Sequence, residues 1–335
     1  MERYSRQSVF APIGTEGQKK LLQSRVAIIG MGALGTVSAN NLCRAGVGYI
    51  RLVDRDYVEL TNLQRQILFN EDDAKNKLPK AIAAYNHLSG VNSEITLEPI
   101  VTDVNSSNIE SLVSGMDLVL DAGDNFDVRL LINEACHKLQ IPWVYCGAIG
   151  SQGMTLNILQ NSNAPCLRCF IGDSNASGDT CSTFGVMNMI TATMASIQTA
   201  EALKILIGAD SVRHELLTID LWSNHFSKVT LPKDENCPVC VHKKYEYLGR
   251  PAGAYTTSIC ATDSIQIVPP RPVNVNFDAL AEKLKKAGDV KNNGFSLIFS
   301  DGKYEIIVFQ DGRAMIKNAI DENNAKSIYT EYIGI

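Results

Sequence analysis

The 335-residue chain lacks the marks of export and of membrane residence. Its first residues, Met1-Glu2-Arg3-Tyr4-Ser5-Arg6, carry charge at once and contain none of the apolar stretch that a signal peptide requires. The uncharged stretch Thr180 to Ala200 is broken by Ser, Thr, Asn and Gln, so it predicts a buried or interface helix and not a membrane span. An excess of basic residues is missing too. The 31 Lys and Arg stand against 36 Asp and Glu, and a net charge of −5 argues against a nucleic-acid surface while leaving room for a local basic pocket. Of the nine cysteines, an odd number, five (Cys43, Cys136, Cys146, Cys181 and Cys260) show no paired spacing, which argues against an oxidised disulfide scaffold. These absences predict a cytoplasmic protein with no membrane role and no nucleic-acid partner.

The remaining four cysteines form two Cys-x-x-Cys knuckles, Cys166-Leu167-Arg168-Cys169 and Cys237-Pro238-Val239-Cys240, separated by 67 residues. Each knuckle can offer two thiolates to a metal at about 2.3 Å, and four soft sulfur ligands in a tetrahedron select Zn²⁺. The alternatives are two redox dithiols or two disulfides. A second knuckle in the same chain favours zinc, and four protein ligands make the site structural.

Near the N-terminus, Arg25-Val26-Ala27-Ile28-Ile29 reads as a strand. Gly30-Met31-Gly32-Ala33-Leu34-Gly35 follows, then a helical stretch to Arg44 and a second strand, Tyr49 to Val53, ending at Asp54. This predicts a nucleotide-binding βαβ unit in a Rossmann-like, doubly wound α/β sheet. Gly30 suits the tight turn, Gly32 the approach of a phosphate and Gly35 close helix packing, while Asp54 is placed to accept from a ribose. The helix start offers amides and partial positive charge. Taken alone the unit indicates a dinucleotide, and an NAD-binding oxidoreductase or redox sensor is the competing reading.

The next segment turns the reading away from hydride transfer. Beyond the strand lies Asp56-Tyr57-Val58-Glu59-Leu60-Thr61-Asn62-Leu63-Gln64-Arg65-Gln66, at the sheet edge where ligands bind. Arg65 can grip phosphate oxygens with its planar fork, and Lys80, after Pro79 at a helix start, can add a point charge. Either is also compatible with a solvated loop. A third strand, Met116 to Asp121, leads to Asp124-Asn125 before a helix over 126–139. A carboxylate there can hold Mg²⁺ between phosphates, and either residue can instead cap the helix.

Taken together, Arg3-Tyr4-Ser5-Arg6-Gln7, the Gly30–Gly35 loop, Asp54, Asn62-Leu63-Gln64-Arg65-Gln66, Pro79-Lys80, Asp124-Asn125 and the two knuckles resemble the MoeB/ThiF/HesA family of ubiquitin-activating-type adenylyltransferases, over residues 1 to about 245. The resemblance implies Mg-ATP-dependent adenylylation of the C-terminal glycine of a small ubiquitin-like sulfur carrier, with release of pyrophosphate. The carrier would be the thiamine-thiazole carrier or the small subunit of molybdopterin synthase, each with a Gly-Gly tail, and a cysteine desulfurase or sulfurtransferase would supply sulfur. It implies that Arg6 reaches the nucleotide of the neighbouring subunit of a homodimer and that Asn62, Gln66 and Asn125 contact ATP, with Asp56 and Arg129 as lesser contacts. Cys181 occupies the position of a thiol that joins the carrier in thiamine-type members, and the Ser151–Thr180 stretch resembles a crossover loop over the carrier tail.

Two positions depart from the family pattern. Gly123 stands where Thr usually precedes Asp-Asn, and Met187-Asn188-Met189-Ile190 replaces a usual Gly-Pro pair after the cysteine segment. The expected organisation is an adenylyltransferase domain with its zinc site over 1–248, a linker over 249–263 and a small α+β domain over 264–335. The last is too short for a rhodanese domain, and its position suggests carrier docking or dimer support.

Overall fold

The computed structural model describes residues 2–161, 164–172, 185–251, 255–259 (backbone only), 264–269 and 273–334. The chain divides into two units, Met1–Arg250 and Pro251–Ile335.

The first unit is built on eight strands: β1 (Arg25–Ile29), β2 (Tyr49–Asp54), β3 (Thr96–Val101), β4 (Leu118–Asp121), β5 (Trp143–Ile149), β6 (Gln152–Ile158), β7 (Leu216–Asp220) and β8 (His225–Val229). Their order is β3-β2-β1-β4-β5-β6-β7-β8, parallel from β3 to β5 and antiparallel from β5 to β8. Pro99, which has no amide to donate, lies in the edge strand β3, where that costs least. Helices of this unit are α1 (Ser5–Ser8), α2 (Gly14–Gln23), α3 (Ala33–Ala45), α4 (Glu71–Lys75), α5 (Lys80–Ser89), α6 (Ile109–Val113), α7 (Phe126–Leu139), α8 (Leu167–Ile171) and α9 (Asn188–Ile207).

The apolar runs of β1 and β4 are buried on both faces, as a parallel sheet requires. Val26 and Ile28 face a core with Val37 and Leu42 of α3, Ala84 and Leu88 of α5 and Met194 of α9. Ala27 and Ile29 face the opposite core with Leu112 of α6 and Leu131, Ile132 and Ala135 of α7. Period-two alternation in the strands thus feeds two helix layers, the doubly wound α/β arrangement expected.

Strands β4 and β5 pair only through Val119↔Trp143 and Leu120↔Val144. Past that point the amide of Gln198 on α9 bridges them, donating to Asp121 O at 2.7 Å and Val144 O at 3.1 Å while its oxygen accepts from Ser38 Oγ at 3.0 Å. Buried Glu134 on α7 accepts from the amides of Tyr247 and Leu248, each at 2.9 Å, anchoring the end of the unit.

The Ser151–Thr180 stretch, read as a loop, contains strand β6 and the short α8. Gln152–Ile158 pairs along its whole length with β5, because Met154, Leu156 and Ile158 alternate with smaller or polar residues and suit a pleated ladder.

The second unit is antiparallel: β9 (Tyr255–Ile259), β10 (Ser264–Val268), β11 (Asp289–Asn292), β12 (Ser296–Ser300), β13 (Glu305–Phe309) and β14 (Ala314–Lys317), ordered β11-β12-β13-β14-β10-β9. Alternate residues Ile265, Ile267, Leu297, Phe299, Ile306, Val308, Ala314 and Ile316 pack against α10 (Phe277–Leu284) and α11 (Glu322–Tyr332), N-capped by Asn276 and Asp321. Strand β9 lies inside the segment read as linker. Its Tyr-Thr-Thr-Ser-Ile sequence favours extended backbone, and its register against β10 supplies the partners that the Gly and Pro content obscured.

A candidate nucleotide site and a four-cysteine centre

The carboxyl ends of β1, β2 and β4 meet where the strand order reverses, the crevice in which open parallel sheets bind ligands. Gly30 leaves β1 with φ +103°, its amide bonded to Val53 O at 2.8 Å. A Cβ on Gly35 would stand 1.9 Å from Gly30 O, so only glycine lets the first turn of α3 fold back onto the loop. A Cβ on Gly32, at the N-cap of α3, would meet nothing within 4 Å. The loop therefore leaves open space beside the helix start, where first-turn amides lack intrahelical acceptors.

Asp54, buried at the end of β2, accepts from Met31 N at 2.6 Å and Asp56 N at 2.7 Å, tying the glycine loop to the second strand. Burial pushes its carboxyl above the usual range against the pull of Lys80. Lys80 opens α5 and is itself buried, with Nζ 3.3 Å from Asp56 Oδ2. Burial would lower its ammonium, but the carboxylates of Asp56, Asp54 and Asp124 prevail and hold it above its ordinary value. Lys80 is therefore a fixed cation at neutral pH. Arg55 Nη1 reaches Asp103 Oδ1 at 2.9 Å on the same edge.

Asn62 is buried and fixes its own turn, its Oδ1 accepting from Glu59 N at 3.0 Å. Half-buried Arg65 bonds Thr61 O at 3.1 Å through one nitrogen of its fork. The buried Oε1 of Gln66 has no hydrogen-bond partner among the described residues, which leaves an acceptor for a ligand.

Asp124 is exposed on the turn after β4, near enough to add its charge to the hold on Lys80, Arg55 and Arg129. Asn125 serves as N-cap of α7, its Oδ1 accepting from Asp127 N at 2.7 Å. Arg129 lies beneath the turn rather than in the open crevice: Nε bonds buried Asp121 Oδ2 at 3.1 Å and Nη2 bonds Gly123 O at 2.8 Å. Asp121 Oδ1 accepts from Gly123 N at 3.1 Å, so one buried ion pair grips both polar backbone groups of Gly123. Sequence reasoning gave Asp121 no role. A carboxylate ending a fully apolar strand and an arginine eight residues later, one turn into a helix, are the signal that was available.

Arg6 sits on α1, exposed, where the N-terminal arm lies across the C-terminus of α3. Its motif neighbours are anchored: Arg3 Nη1 to Val91 O at 3.0 Å and Gln7 Nε2 to Ala45 O at 2.9 Å, while Tyr4 OH accepts from Asn92 Nδ2 at 2.9 Å. Cys181 and Cys260 lie outside the described residues.

The two knuckles converge. The Sγ atoms of Cys166, Cys169, Cys237 and Cys240 all lie within 4.8 Å of one another, with separations of 4.0 Å (166–169), 3.6 Å (166–237) and 3.4 Å (169–240). A tetrahedron of thiolates around zinc at about 2.3 Å needs sulfurs roughly 3.8 Å apart, so the set fits the ion. Hydrogen bonds from Cys166 and Cys237 hold the Cys169 thiol well below its usual range. Asn133 on α7 accepts from Leu167 N at 3.0 Å and donates to Cys166 Sγ at 3.7 Å, orienting the first knuckle. Cys43, Cys136 and Cys146 are buried, and burial pushes their thiols up. No helix among the described residues is long and apolar enough to cross a membrane.

The sequence and the fold have counterparts. The chain is 40% identical over 335 residues to the sulfur carrier protein ThiS adenylyltransferase of Bacillus subtilis, covering 99% of both chains. It is 33% identical over 241 residues to the molybdopterin-synthase adenylyltransferase of Salmonella typhimurium, covering 72% of this chain and 96% of that one. Among solved structures, Escherichia coli MccB with ATP superposes with a TM-score of 0.63 at 22% identity, over 71% of this chain and 74% of that one, a likeness of fold. Residues 4–239 match the ThiF family, and the chain belongs to it.

Proposed function

We propose that this protein is an ATP-dependent adenylyltransferase that activates the C-terminal glycine of a ubiquitin-like sulfur carrier, working as a homodimer with Zn²⁺ in its four-cysteine centre. The observation that carries this reading is the convergence of the Gly30–Gly35 loop, Asp54, Lys80 and Asp124 on one crevice, in a chain related along its whole length to a ThiS adenylyltransferase. That kinship sets aside the dehydrogenase reading.

In the proposed reaction a carboxylate oxygen of the carrier's terminal glycine attacks the α-phosphorus of ATP. The bond from that phosphorus to the bridging α–β oxygen breaks, the electron pair leaves with pyrophosphate, and a carboxyl–phosphoryl anhydride remains. A carboxylate nucleophile needs no base, so the protein's work is positioning and neutralisation of charge. The first-turn amides of α3 cradle phosphate, Lys80 and Arg65 neutralise phosphate oxygens, and Asn62 and Gln66 supply polar contacts. Asp54 holds the loop and receives the ribose. Asp124 is the carboxylate that would hold Mg²⁺, whose hard charge screens the phosphates when bound. Pinned by Arg129 and Asp121, the Gly123 turn keeps Asp124 at the crevice. The zinc centre is structural, closing two segments far apart in sequence onto α7.

Arg6 is proposed to act on the partner's site. It lies at the C-terminal end of α3, and the 13 residues of that helix span about 20 Å, which puts its own phosphate loop beyond an arginine's reach. Exposed Val9 (79%) and Phe10 (59%) follow Arg6 closely in the chain, and exposed Leu60 (69%) and Ile67 (57%) lie on either side of Arg65 in sequence, giving apolar surface near both halves of the composite site. The thiamine and molybdopterin pathways both use such carriers, and full-length kinship favours the ThiS-type carrier.

The test is ATP–pyrophosphate exchange with a ThiS-type and a molybdopterin-synthase-type carrier, each with and without its terminal glycine. Exchange with one carrier that is lost on truncation supports adenylylation and assigns the pathway. No exchange with either, from zinc-loaded dimer, overturns it.

A further inference from the structure

We infer that Tyr4, seated between Gly46 and Asn92, is the positioning residue that sets Arg6 for the neighbouring subunit's nucleotide site. The inference deepens the proposed function and rests on its reading of Arg6 as a residue acting in trans.

The arm is short and its hold is specific. Tyr4 is 2% exposed although it is the fourth residue of the chain. Its ring lies over Gly46, where a Cβ would stand 2.5 Å from Tyr4 Cε1 and 2.6 Å from Cζ. Gly46 has φ +81° and caps α3, so the glycine that ends the helix also makes the seat for the ring. Asn92 Nδ2 donates to Tyr4 OH at 2.9 Å and to Cys43 O at 2.8 Å, and its Oδ1 accepts from Glu94 N at 3.1 Å. Buried Gln18 and half-buried Gln7 share Ala45 O at 3.0 and 2.9 Å. Three backbone features at one helix end, Cys43 O, Ala45 O and Gly46, thus fix Tyr4 and Gln7 on the two sides of Arg6, whose exposed side chain has no hydrogen bond among the described residues. A side chain that must cross to a second subunit gains from a fixed base, because a displacement of about 1 Å costs up to a hundredfold in rate.

Mixed dimers test this. Differently tagged chains are co-expressed, heterodimers are purified through both tags, and exchange is measured with the ThiS-type carrier. Arg6→Ala and Lys80→Ala are each inactive alone and together give one intact site of two. Tyr4→Ala is expected to lower kcat about tenfold to a hundredfold with little change in KM for ATP, and Tyr4→Phe, which keeps the ring, to restore most of it. Paired with Lys80→Ala, the Tyr4→Ala chain is rescued to one full site. Paired with Arg6→Ala it is not rescued, since both defects lie on the donated arm. Gly46→Ala, which pushes the ring from the other side, follows the same pattern, and the Tyr4→Ala/Gly46→Ala double variant is no worse than Gly46→Ala alone. Full activity of Tyr4→Ala, or rescue by Arg6→Ala and not by Lys80→Ala, overturns the inference by placing the effect within one subunit. An active Arg6→Ala dimer instead removes the trans reading itself, whatever Tyr4 does.

Discussion

The two units differ in the charge they bury at their strand ends. In the first, Asp54, Asn62, Gln66, Lys80, Asp121 and Arg129 are all buried and lie at or just beyond strand ends on the crevice side of the sheet. In the second, Gln266 is buried in mid-strand, Ser264 and Ser296 at the starts of β10 and β12, and the buried charge among the described residues is Arg313, paired with Asp311 in the β13–β14 turn. The difference follows from strand direction. A parallel sheet brings all its carboxyl ends to one edge, where loops and helix starts accumulate charge and amides; an antiparallel sheet alternates its ends and divides what they carry between two edges. The candidate site lies in the first unit, and the ThiF match ends at residue 239, before the second begins.

The strongest way to break that comparison is at the crevice. Replacing Lys80 by Ala removes a cation held among three carboxylates, and carrier-dependent exchange is expected to fall on the order of 10³-fold with the fold intact by circular dichroism. A fall of less than tenfold would mean that charge gathered at the sheet edge serves structure and not phosphate. The four-cysteine centre comes next. As purified, the protein should carry one zinc per chain. Cys237→Ser should lose it and melt about 10 °C lower, whereas a metal-free wild type of equal stability would reduce the centre to a thiol cluster.

Smaller effects belong to the second unit. Both amide atoms of Gln266, fully buried, lack hydrogen-bond partners among the described residues. Gln266→Leu is expected to stabilise the unit by about 1 kcal/mol, read from slower hydrogen exchange in β10 and β14. Destabilisation would show that the amide is used. Last, a chain ending at Arg250 should keep kcat within about twofold. A rise in KM for the carrier would give the second unit the docking role its position suggests, and loss of kcat would end the division of labour between the units.

Much of the site was legible because its constraints are local. The glycine spacing, the strand-end acids and the Pro79-Lys80 helix start are each fixed by backbone geometry within a few residues, and β1 and α7 fall on the segments read as strand and helix. The knuckles were legible for another reason, since metal ligation fixes residue type as well as spacing. What escaped were long-range polar pairings. Arg129 reads as a lesser nucleotide contact until Asp121 is known to end a buried strand beside it, and nothing near Gln198 announces that its amide closes a gap between two strands. Strand β9 was hidden by composition, because Gly249, Pro251 and Gly253 just before Tyr255–Ile259 suggest a linker and only its partner β10 reveals the ladder.

The Gln198 bridge also bears on the order in which the site is made. Its bonds join residues 54, 77 and 160 positions apart, so the spacing of β4 and β5 at the crevice depends on a helix synthesised after all five parallel strands. Contacts of such separation form late, once the entropy of closing long loops has been met. A nascent chain emerging from the ribosome can assemble its glycine loop early, yet the edge that receives the nucleotide stays unbraced until α9 docks.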